Sequence, residues 1–444
     1  MKSRKLVPII FLLIISILSF QRAARAQAGA LDPNFGTNGL VPNLLIQNQN
    51  DYGLSDTALQ PDGKIVVAGG ITFRYGTHPN WQFQTRFLLV RYKPDGSFDP
   101  EFGTGGISAI PFARSASAAS VSILPDGKFL AAGWMNGYSA DLALARYNPD
   151  GSLDTSFGVG GLVVEDFAAF EEESQEYPVK SFHLPDGKIL VIGRKSYRSA
   201  LYPADGIPAY SVFLARYNAD GTPDTTFGRF GKVFPGTPYF CGTADSAVMQ
   251  PDGKILVSDR VCKPVYLISQ LTRYNSDGSV DTGFGHNGTV RFPFHDTVNY
   301  PKVMPNGEIM VLFSYKIMIL NADGSFNRDV LSGPVTINRK LFSPFRFDVQ
   351  PDGKIVSLGS VRWGSTDQIA VARFNPDGEV DTSFAARGLY LRQTNQPAAL
   401  DRILIQPDGK ILGVSGVFTV TDIALMRLLG SSSPAPSTGK PLDR

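Results

Sequence analysis

Two series of charged residues recur at constant places along this chain of 444 residues, and they are its first candidates for chemistry. Six repeats place an arginine near the end of an apolar run, and in five of them an aspartate follows eight residues later. Such arginines could form a ring of cations around a channel. A place that stays constant between repeats instead favours a structural role, in which each guanidinium binds a nearby carboxylate or carbonyl group. The two series are Arg91, Arg146, Arg216, Arg273, Arg373 and Arg427, with Asp99, Asp154, Asp224, Asp281 and Asp381.

Oxygen-bearing side chains in the same segments are spaced like the ligands of a calcium loop. Asn148, Asp150 and Asp154 place oxygens two and four residues apart. Calcium takes about 6 to 8 oxygen ligands, and Arg146 stands where a loop of this kind would begin with a carboxylate. We therefore expect turns whose side chains bond to their own backbone, with no metal site and no cofactor.

Catalytic motifs are scarce. The four histidines lie in different repeats without metal-ligand spacing, and neither a Gly-x-Ser-x-Gly elbow nor a phosphate-binding Gly-Lys-Ser/Thr sequence occurs. An enzyme whose site is assembled from distant repeats would escape a motif search. It would bring carboxylates or histidines together near a central channel, and the groups to place are Glu165, Asp166, His78 and His183.

The elements that must position these residues begin with a repeated turn. Pro-Asp-Gly-Lys or a close variant lies between two apolar runs at seven places. Proline presets φ, aspartate can bond its own backbone and glycine accepts positive φ, so each copy predicts a β-hairpin. The turn prolines are Pro61, Pro125, Pro185, Pro251, Pro305, Pro351 and Pro407.

A third apolar run and a second turn complete each repeat. The third run ends in Arg-Tyr, as in Leu142 to Tyr147, and the linker Asn148 to Gly161 leads into a fourth strand. The runs are continuously apolar, as expected for strands covered on both faces. Seven units of four short strands predict an all-β fold, a single seven-bladed β-propeller of four-stranded antiparallel blades.

The two ends of the repeat region indicate a closed ring. Leu31 to Gly39 reads as the second half of a linker with no strand before it, and the last repeat stops at Gly430 without that half. Joining the ends completes the last linker and leaves no open sheet edge. An open solenoid is the alternative, although it would be expected to carry atypical capping repeats.

The Pro-Asp-Gly-Lys turns and linkers such as Arg146 to Gly158 resemble the bacterial delta-60 repeat family, and the resemblance extends from Leu31 to about Gly430. It implies β-propeller-like units of a secreted or surface protein without an assigned biochemical role. The fifth repeat departs from the pattern, because Glu308 replaces the turn lysine, Ile319 replaces the arginine and Asn327 replaces the linker aspartate.

Residues 1–26 read as a secretory signal peptide, with Lys2, Arg4 and Lys5 before an apolar run and Ala24-Arg25-Ala26 as the cleavage site. An uncleaved membrane anchor is the alternative. Without this segment 37 basic residues face 40 acidic ones, which argues against a nucleic-acid partner. We expect a secreted, periplasmic or cell-surface monomer with no transmembrane span, a propeller over residues 27–430 and a disordered Ser/Pro-rich tail over 431–444.

The two cysteines lie almost symmetrically about one turn. Cys241 is eleven residues before Asp252 and Cys262 is ten after it, which places them across the open end of one hairpin. An oxidising compartment favours a disulfide between them, with two unpaired core thiols as the alternative.

Function is expected on one rim of the propeller. The repeated turns and linkers lie on one rim, and the intervening loops on the other rim vary in sequence, as functional loops on a rigid scaffold do. These loops and adjacent strand ends carry aromatic residues suited to sugar rings or to a partner protein, although they could instead pack against the blade ends. They are Phe73, Tyr75, Trp81, Trp134, Tyr197, Tyr202, Tyr210 and Trp363.

The sequence therefore predicts an exported, non-catalytic binding or scaffold propeller that presents this aromatic rim to an extracellular polysaccharide or a surface protein. A propeller enzyme that acts on glycans or peptides as a hydrolase or lyase is the alternative. A spacer or adhesin module without a defined pocket is a third possibility.

Overall fold

A computed structural model gives the architecture of most of the chain. The described residues are 27–42, 52–76, 80–136, 140–167, 174–197, 209–235, 243–263, 266–292, 298–313, 315–363, 366–392, 400–415 and 423–430. They contain no α-helix, and therefore no helix that could span a membrane. The proposed signal peptide, the C-terminal tail and Cys241 lie outside these ranges, as does the side chain of Cys262.

Seven small antiparallel sheets form the seven blades of a β-propeller, which confirms the predicted fold class. Six sheets have four strands and the sixth blade has five. The strands of blades 1 to 4 are β2 (Tyr52–Leu59), β3 (Ile65–Tyr75), β4 (Gln82–Tyr92) and β5 (Ile107–Ile110); β6 (Ala116–Ile123), β7 (Phe129–Asn136), β8 (Ala140–Tyr147) and β9 (Leu162–Glu165); β10 (Ser174–His183), β11 (Ile189–Tyr197), β12 (Ala209–Tyr217) and β13 (Lys232–Val233); and β14 (Thr243–Met249), β15 (Ile255–Lys263), β16 (Tyr266–Tyr274) and β17 (Thr289–Phe292).

The remaining blades follow the same meander, with one extra strand in blade 6 and an N-terminal strand in blade 7. Their strands are β18 (Val298–Val303), β19 (Ile309–Phe313), β20 (Lys316–Leu320) and β21 (Phe326–Leu331); β22 (Val335–Ile337), β23 (Lys340–Val349), β24 (Ile355–Trp363), β25 (Thr366–Phe374) and β26 (Leu389–Arg392); and β27 (Leu400–Ile405), β28 (Ile411–Ser415), β29 (Ile423–Leu428) and β1 (Leu40–Pro42).

Each repeated turn closes the hairpin between the first and second strands of its blade. In blade 1 the Gln60 amide donates to the Lys64 carbonyl at 2.9 Å, and the Lys64 amide donates to Asp62 Oδ1 at 3.1 Å. Gly63 has a φ of 83°, a conformation that costs a residue with a Cβ atom far more than glycine.

The second and third strands carry the core because both of their faces are covered. Val66, Ala68, Phe87 and Leu89 of blade 1 pack with Phe129 and other residues of blade 2 in one fully buried cluster. Neighbouring blades share further clusters of this kind around the ring. The continuously apolar runs are thus explained by face-to-face stacking of sheets.

The first strands line the central channel, and each carries a β-bulge. In β2, Leu54 pairs with Gly69 but Asp56 pairs with Ala68, so Ser55 is an extra residue. Equivalent register shifts occur in the first strand of every blade. A bulge bends its strand and redirects the next side chain, which here contacts the neighbouring blade or the channel.

A buried ion triad joins the turn, the third strand and the linker. In blade 2, Arg146 Nε donates to Asp154 Oδ2 at 2.7 Å, and Lys128 Nζ lies 2.9 Å from the same oxygen. Five other blades repeat this arrangement with Nε–Oδ2 distances of 2.6 to 2.9 Å. Their triads are Lys64–Asp99–Arg91, Lys188–Asp224–Arg216, Lys254–Asp281–Arg273, Lys354–Asp381–Arg373 and Lys410–Asp32–Arg427.

The linker oxygens are occupied by the protein itself. Asp150 Oδ1 accepts from the Ser152 amide at 2.9 Å and from the Ser152 hydroxyl at 2.7 Å. Burial alone raises the pKa of Asp154, but hydrogen bonds from Ser156 and Lys128, with the charge of Arg146, outweigh burial and hold that pKa well below its usual range. These turns are self-bonded, as the sequence analysis favoured over a calcium loop.

The N-terminal segment closes the ring. Strand β1 pairs with β29 of blade 7, where Leu40 lies opposite Met426. Asp32 supplies the aspartate of the seventh triad, since Arg427 Nε donates to its Oδ2 at 2.9 Å. The Gly36 amide donates to the Asp95 carbonyl of blade 1 at 2.7 Å. Closure through a linker assembled from both ends is therefore confirmed.

Blade 5 replaces the triad with a different contact. Its altered residues meet, because Asn327 Nδ2 donates to Glu308 Oε1 at 2.9 Å. Arg328 Nη1 lies 3.5 Å from the same oxygen in an exposed pair. Ile319, in the place of the arginine, is buried. The blade keeps its four strands without a buried guanidinium.

Asp32→Asn should destabilise the protein far more than Asp408→Asn, although each aspartate lies within 3.5 Å of Lys410 Nζ. The Asp32 side chain is 1% exposed and pairs with the buried Arg427, whereas that of Asp408 is 54% exposed. Leaving Arg427 without its carboxylate should lower the free energy of unfolding by about 3 kcal/mol. The exposed pair should contribute less than about 1 kcal/mol. Urea unfolding of the two variants measures the difference, and equal losses would contradict a closing role for Asp32.

Candidate functional site

The aromatic residues singled out by sequence lie on one rim, here called the variable rim. It comprises the loops between second and third strands and those from each fourth strand to the next blade. The opposite turn rim carries the repeated turns and the linkers. In blade 1 the β3–β4 hairpin is unusually long, with eleven residues in each strand. Its outer part, residues 71–75 and 81–86, is here called the blade 1 arm.

The blade 1 arm exposes large aromatic side chains at its tip. Phe83 is 62% exposed, Tyr75 39% and Trp81 37%. By the register of the pair, Phe73 lies opposite Gln84 and Arg74 lies opposite Phe83. Phe73 and Tyr75 therefore share one face of the arm, and Phe83 lies on the other. Nearer the blade the segment 112–115 contacts the arm, because the Gln84 side chain donates to the Phe112 carbonyl and the Thr85 amide donates to the Ser115 hydroxyl.

Two arginines hold the aromatic rings of the arm in place. Arg74 Cζ lies 4.1 Å from the centroid of the Trp81 ring, and Arg86 Cζ lies 4.5 Å from that of Phe73. Arg86 also donates a hydrogen bond to the Tyr75 hydroxyl. These cation–π contacts restrict the rings while leaving their outer surfaces in solvent.

A second aromatic group lies between blades 2 and 3. The Trp134 and Tyr177 rings meet edge to face, with centroids 5.6 Å apart, and Arg194 Cζ lies 5.0 Å from the Tyr177 centroid. Tyr210 is half-buried on β12, the strand adjacent to that of Arg194. Tyr177 and Arg194 were not singled out from the sequence, because their role arises from contact between blades.

The side chains of the remaining predicted aromatic positions lie outside the described residues. Trp363 is the last residue of β24 in blade 6, across the ring from blade 2, and its side chain lies outside the described residues. Tyr197 ends β11, and its side chain is also outside the described set. Tyr202 lies wholly outside the described ranges. The two aromatic groups lie in blades 1 to 3, whereas Tyr315, which is 50% exposed, lies in the β19–β20 loop of blade 5.

Three carboxylates converge beside Trp134 and Tyr177 on the same rim. Asp141 of β8, Asp166 after β9 and Glu176 of β10 place oxygens within 4.8 Å of one another, close enough to share a cation. Glu176 is fully buried; its Oε1 accepts from the Ser174 hydroxyl at 2.6 Å, and its Oε2 has no hydrogen-bond partner. Lys195 is paired across the strands with Glu176 and is also buried.

Burial raises the pKa of Glu176 to about 7, and the Asp166 carboxylate acts in the same direction against Ser174 and Lys195. A carboxyl group of this kind can hold or release a proton near neutral pH. Its complete burial keeps it from direct contact with a large substrate.

Among the groups expected to mark a dispersed active site, the three that the structure describes do not converge. The Glu165 carboxylate accepts from the Tyr217 hydroxyl and from Lys232, so it is engaged between blades. His183 ends β10 at the turn rim, whereas Asp166 lies on the variable rim. His78 lies outside the described residues.

Charged residues of the channel were missed by the sequence analysis. The position five residues before the turn proline is Asp56, Lys180, Arg346 and Arg402 in blades 1, 3, 6 and 7. It directly follows the bulge of each first strand in these blades. An alignment of the seven turns would have revealed these charges in otherwise apolar runs, but only the bulge directs them into a shared space.

Comparison with known families supports a β-propeller family. A family model described as "domain of unknown function (DUF5122) beta-propeller" matches residues 60–102, 124–157, 209–227, 269–284 and 350–384. The matches fall in blades 1, 2, 3, 4 and 6 and leave out the divergent blade 5. No curated protein is similar in sequence.

Solved structures with a similar arrangement are distant in sequence. A protein of unknown function from Bacteroides caccae has a TM-score of 0.37 at 12% identity, covering 74% of this chain and 99% of its own. A calcium-binding regucalcin from Agrobacterium tumefaciens has 0.34 at 14%, covering 71% and 92%. The polysaccharide lyase Uly1 has 0.39 at 12%, covering 72% and 77%. Similarities this low support no statement about ligand or activity.

The free energy of unfolding should fall as the pH rises through the range in which Glu176 loses its proton. The unfolded chain releases this proton near pH 4.5 and the folded protein near pH 7, so the folded state binds more protons between these values and stability declines towards pH 7. This decline in the free energy of unfolding should amount to at most about 3 kcal/mol, and Glu176→Gln should abolish it.

Urea unfolding of parent and variant at pH 4 and pH 8 checks this expectation, with the exposed Glu101→Gln as the control. The variant should gain stability relative to the parent only at pH 8. A parent–variant difference that is the same at both pH values would contradict the raised pKa.

Proposed function

We propose that this protein is an exported binding propeller that holds an extracellular polysaccharide on its variable rim without chemical conversion. The observation that carries the proposal is the blade 1 arm, where Tyr75, Trp81 and Phe83 remain exposed beyond the blade. Large apolar side chains concentrated at one exposed point mark an interaction site more often than scattered ones do.

The chemistry of the arm suits a sugar chain. Aromatic rings offer flat apolar surfaces for the C–H faces of pyranose rings, and the polar residues of the arm can bond hydroxyl groups. Gln82 is exposed opposite Tyr75, and Gln84 lies opposite Phe73, where its amide donates to the Phe112 carbonyl at 3.3 Å. The Trp134–Tyr177 pair offers a second contact in the neighbouring blades, so a long chain could bind at both places.

Export rests on the sequence of residues 1–26, which has the basic start, apolar run and small residues of a signal peptide. We further assign the repeats to the delta-60 type on their turn and linker sequences. Both assignments agree with a ligand outside the cytoplasm. The mass of the secreted chain, compared with that of the purified precursor, would test this: cleavage after Ala26 should remove residues 1–26.

Trp81→Ala combined with Phe83→Ala should weaken polysaccharide binding about 30-fold, since truncating an aromatic hot spot costs about 2 kcal/mol. The measurement is a pull-down of residues 27–444 against insoluble and immobilised polysaccharides, followed by titration of the class that binds. Phe326→Ala is the matched control, because Phe326 is also 62% exposed but lies at the start of β21 in blade 5.

Retention of full affinity by the folded double variant would contradict a role for the arm. If the parent binds none of the polysaccharides, the proposal of a carbohydrate ligand is wrong and a protein partner is favoured.

A second candidate function is cleavage of the same polysaccharide by a hydrolase or lyase. The observation that favours it is the convergence of Asp141, Asp166 and Glu176 beside Trp134 and Tyr177. Catalysis would release new chain ends from a bound polysaccharide, and Asp166→Asn would stop that release while binding persists. If the parent binds the polysaccharide but releases no chain ends, cleavage is contradicted and the non-catalytic binding role is supported.

A further inference from the structure

The central channel contains a charged cavity that the rim function does not use. Its volume is about 570 Å³, within the range of small-molecule sites. The first strands of blades 1, 3, 4, 5, 6 and 7 line it, between the bulges and the turn rim. It therefore lies on the side of the propeller away from the blade 1 arm. Its lining includes the cations Lys180, Lys302, Arg346 and Arg402.

Asp56, Asp348 and Asp401 are the three carboxylate residues that line the cavity, and the first two are already fully engaged. Asp56 Oδ2 accepts from Lys180 Nζ at 2.6 Å and from the Val121 amide at 3.0 Å, and Arg402 Nη1 lies 3.6 Å from its Oδ1. Burial alone raises the pKa of Asp56, but Lys180 and Arg402 outweigh it and lower that pKa, so the carboxylate is charged.

Asp348 is committed in the same way. Its Oδ1 accepts from the Val349 amide and its Oδ2 from the Ile405 amide, both at 2.8 Å, and Lys302 Nζ contacts Oδ1. Asp56 and Asp348 together thus engage three of the four cations.

Arg346 is the lining cation for which the described residues show no ion pair, although the charge of Asp401 acts on it. Its Nε donates to the Asp401 carbonyl at 2.9 Å and its Nη1 to the Phe345 carbonyl at 2.8 Å. Within the described residues no carboxylate oxygen lies within 4.0 Å of this guanidinium, and its Nη2 has no hydrogen-bond acceptor. Burial lowers the pKa of Arg346, and the charge of Arg402 acts in the same direction, while Tyr300 and Asp401 oppose them.

Tyr300 places its ring beside this guanidinium at the cost of backbone strain. Arg346 Cζ lies 4.1 Å from the ring centroid and Arg402 Cζ lies 5.9 Å from it. Tyr300 has a φ of 50°, an outlier for a bulky aromatic residue. In blade 5 both Tyr300 and Pro301 are unpaired and lie opposite Val311, so this first strand has one extra residue, as the other first strands do. Strain of this kind is retained where the geometry it creates is needed.

Polar and apolar groups are arranged around Arg346 as in a site for a small organic anion. A buried guanidinium beside a second one is unfavourable until an anion joins it, and a planar carboxylate matches its free N–H groups. Val248, Met249 and Met304 supply an apolar wall for the rest of such a molecule. Lys302 and Arg402 remain partly exposed, so a solute can reach the cavity.

We propose that the channel cavity binds a small organic anion through its carboxylate, with Arg346 as the primary ligand-binding residue and Lys302 and Arg402 beside it. This site is independent of the polysaccharide site on the variable rim. It can be occupied whether or not the blade 1 arm binds a sugar chain.

The experiment measures equilibrium binding of acetate, succinate, D-glucuronate and citrate to the mature chain by calorimetry at constant ionic strength in chloride. D-glucose, sulfate and phosphate are the comparison solutes. At least one carboxylate should bind, and Arg346→Gln should weaken it at least tenfold. Arg328→Gln should leave the affinity unchanged, because that arginine lies in the exposed pair of blade 5.

Lys302→Met is the second variant if Arg346→Gln does not fold, and it should also weaken the carboxylate, because Asp348 keeps its two amide donors. The Trp81→Ala, Phe83→Ala variant should bind the carboxylate as the parent does, which separates this test from that of the rim. The proposal fails if none of the four carboxylates binds, if glucose binds as well as glucuronate, if sulfate or phosphate binds more tightly than every carboxylate, or if folded Arg346→Gln keeps the parental affinity.

Discussion

The interaction on which this propeller depends is the contact of a linker carboxylate with an arginine and a lysine from two other segments of its blade. In blade 2, Asp154 Oδ2 lies 2.7 Å from Arg146 Nε and 2.9 Å from Lys128 Nζ. The same guanidinium lies 4.7 Å from the Phe157 ring and donates to the Ala219 carbonyl of the next blade. One arginine therefore joins the hairpin turn, the linker and the neighbouring blade, and most of its capacity as a donor is satisfied by protein acceptors.

This constraint explains how function is divided between the two rims. The linkers need the same residues in almost every blade, because each must meet an arginine, a phenylalanine and a neighbouring turn. Blade 5 shows the consequence of losing them: Glu308 and Asn327 form an exposed polar contact instead, and Ile319 is buried in the place of the arginine. The part of the variable rim that the structure describes carries no such triad, so it can hold the long blade 1 arm and the Trp134–Tyr177 pair without disturbing the ring.

In the channel, the side chains that follow the bulges of the first strands determine the charge. Except in blade 6, where β22 pairs with β23, its first strands have one edge without a paired strand among the described residues. In five blades the side chain after the bulge bonds a backbone group of the next blade, as Asp56 does at the Val121 amide. Ser120 and Ser246 perform this role with hydroxyl groups at the Ser181 and Tyr300 amides. Where charged residues replace them the channel acquires fixed charge, and an excess guanidinium such as Arg346 gives the cavity a preference for anions.

The sequence by itself determined the seven hairpins, the linkers, the all-β class and the closure of the ring. Each depends on local chemistry: Pro-Asp-Gly sets a turn, and Arg146 lies only eight residues from Asp154. Asp32 lies in the second half of a linker, and the last repeat stops at Gly430 without that half. It also placed Trp81 and Tyr75 on the variable rim, because alternating turns fix the rim of every loop.

Only the tertiary structure decided which distant side chains meet. Lys180 and Asp56 are 124 residues apart, and they pair because bulges in two first strands turn both side chains towards the channel. The cluster of Asp141, Asp166 and Glu176 likewise depends on how the blades pack and on their order around the ring. The physical reason is that a turn depends on a few neighbouring residues, whereas charge pairing and burial depend on contacts between distant segments. The repeat pattern makes these segments look alike, so it does not indicate which of them meet.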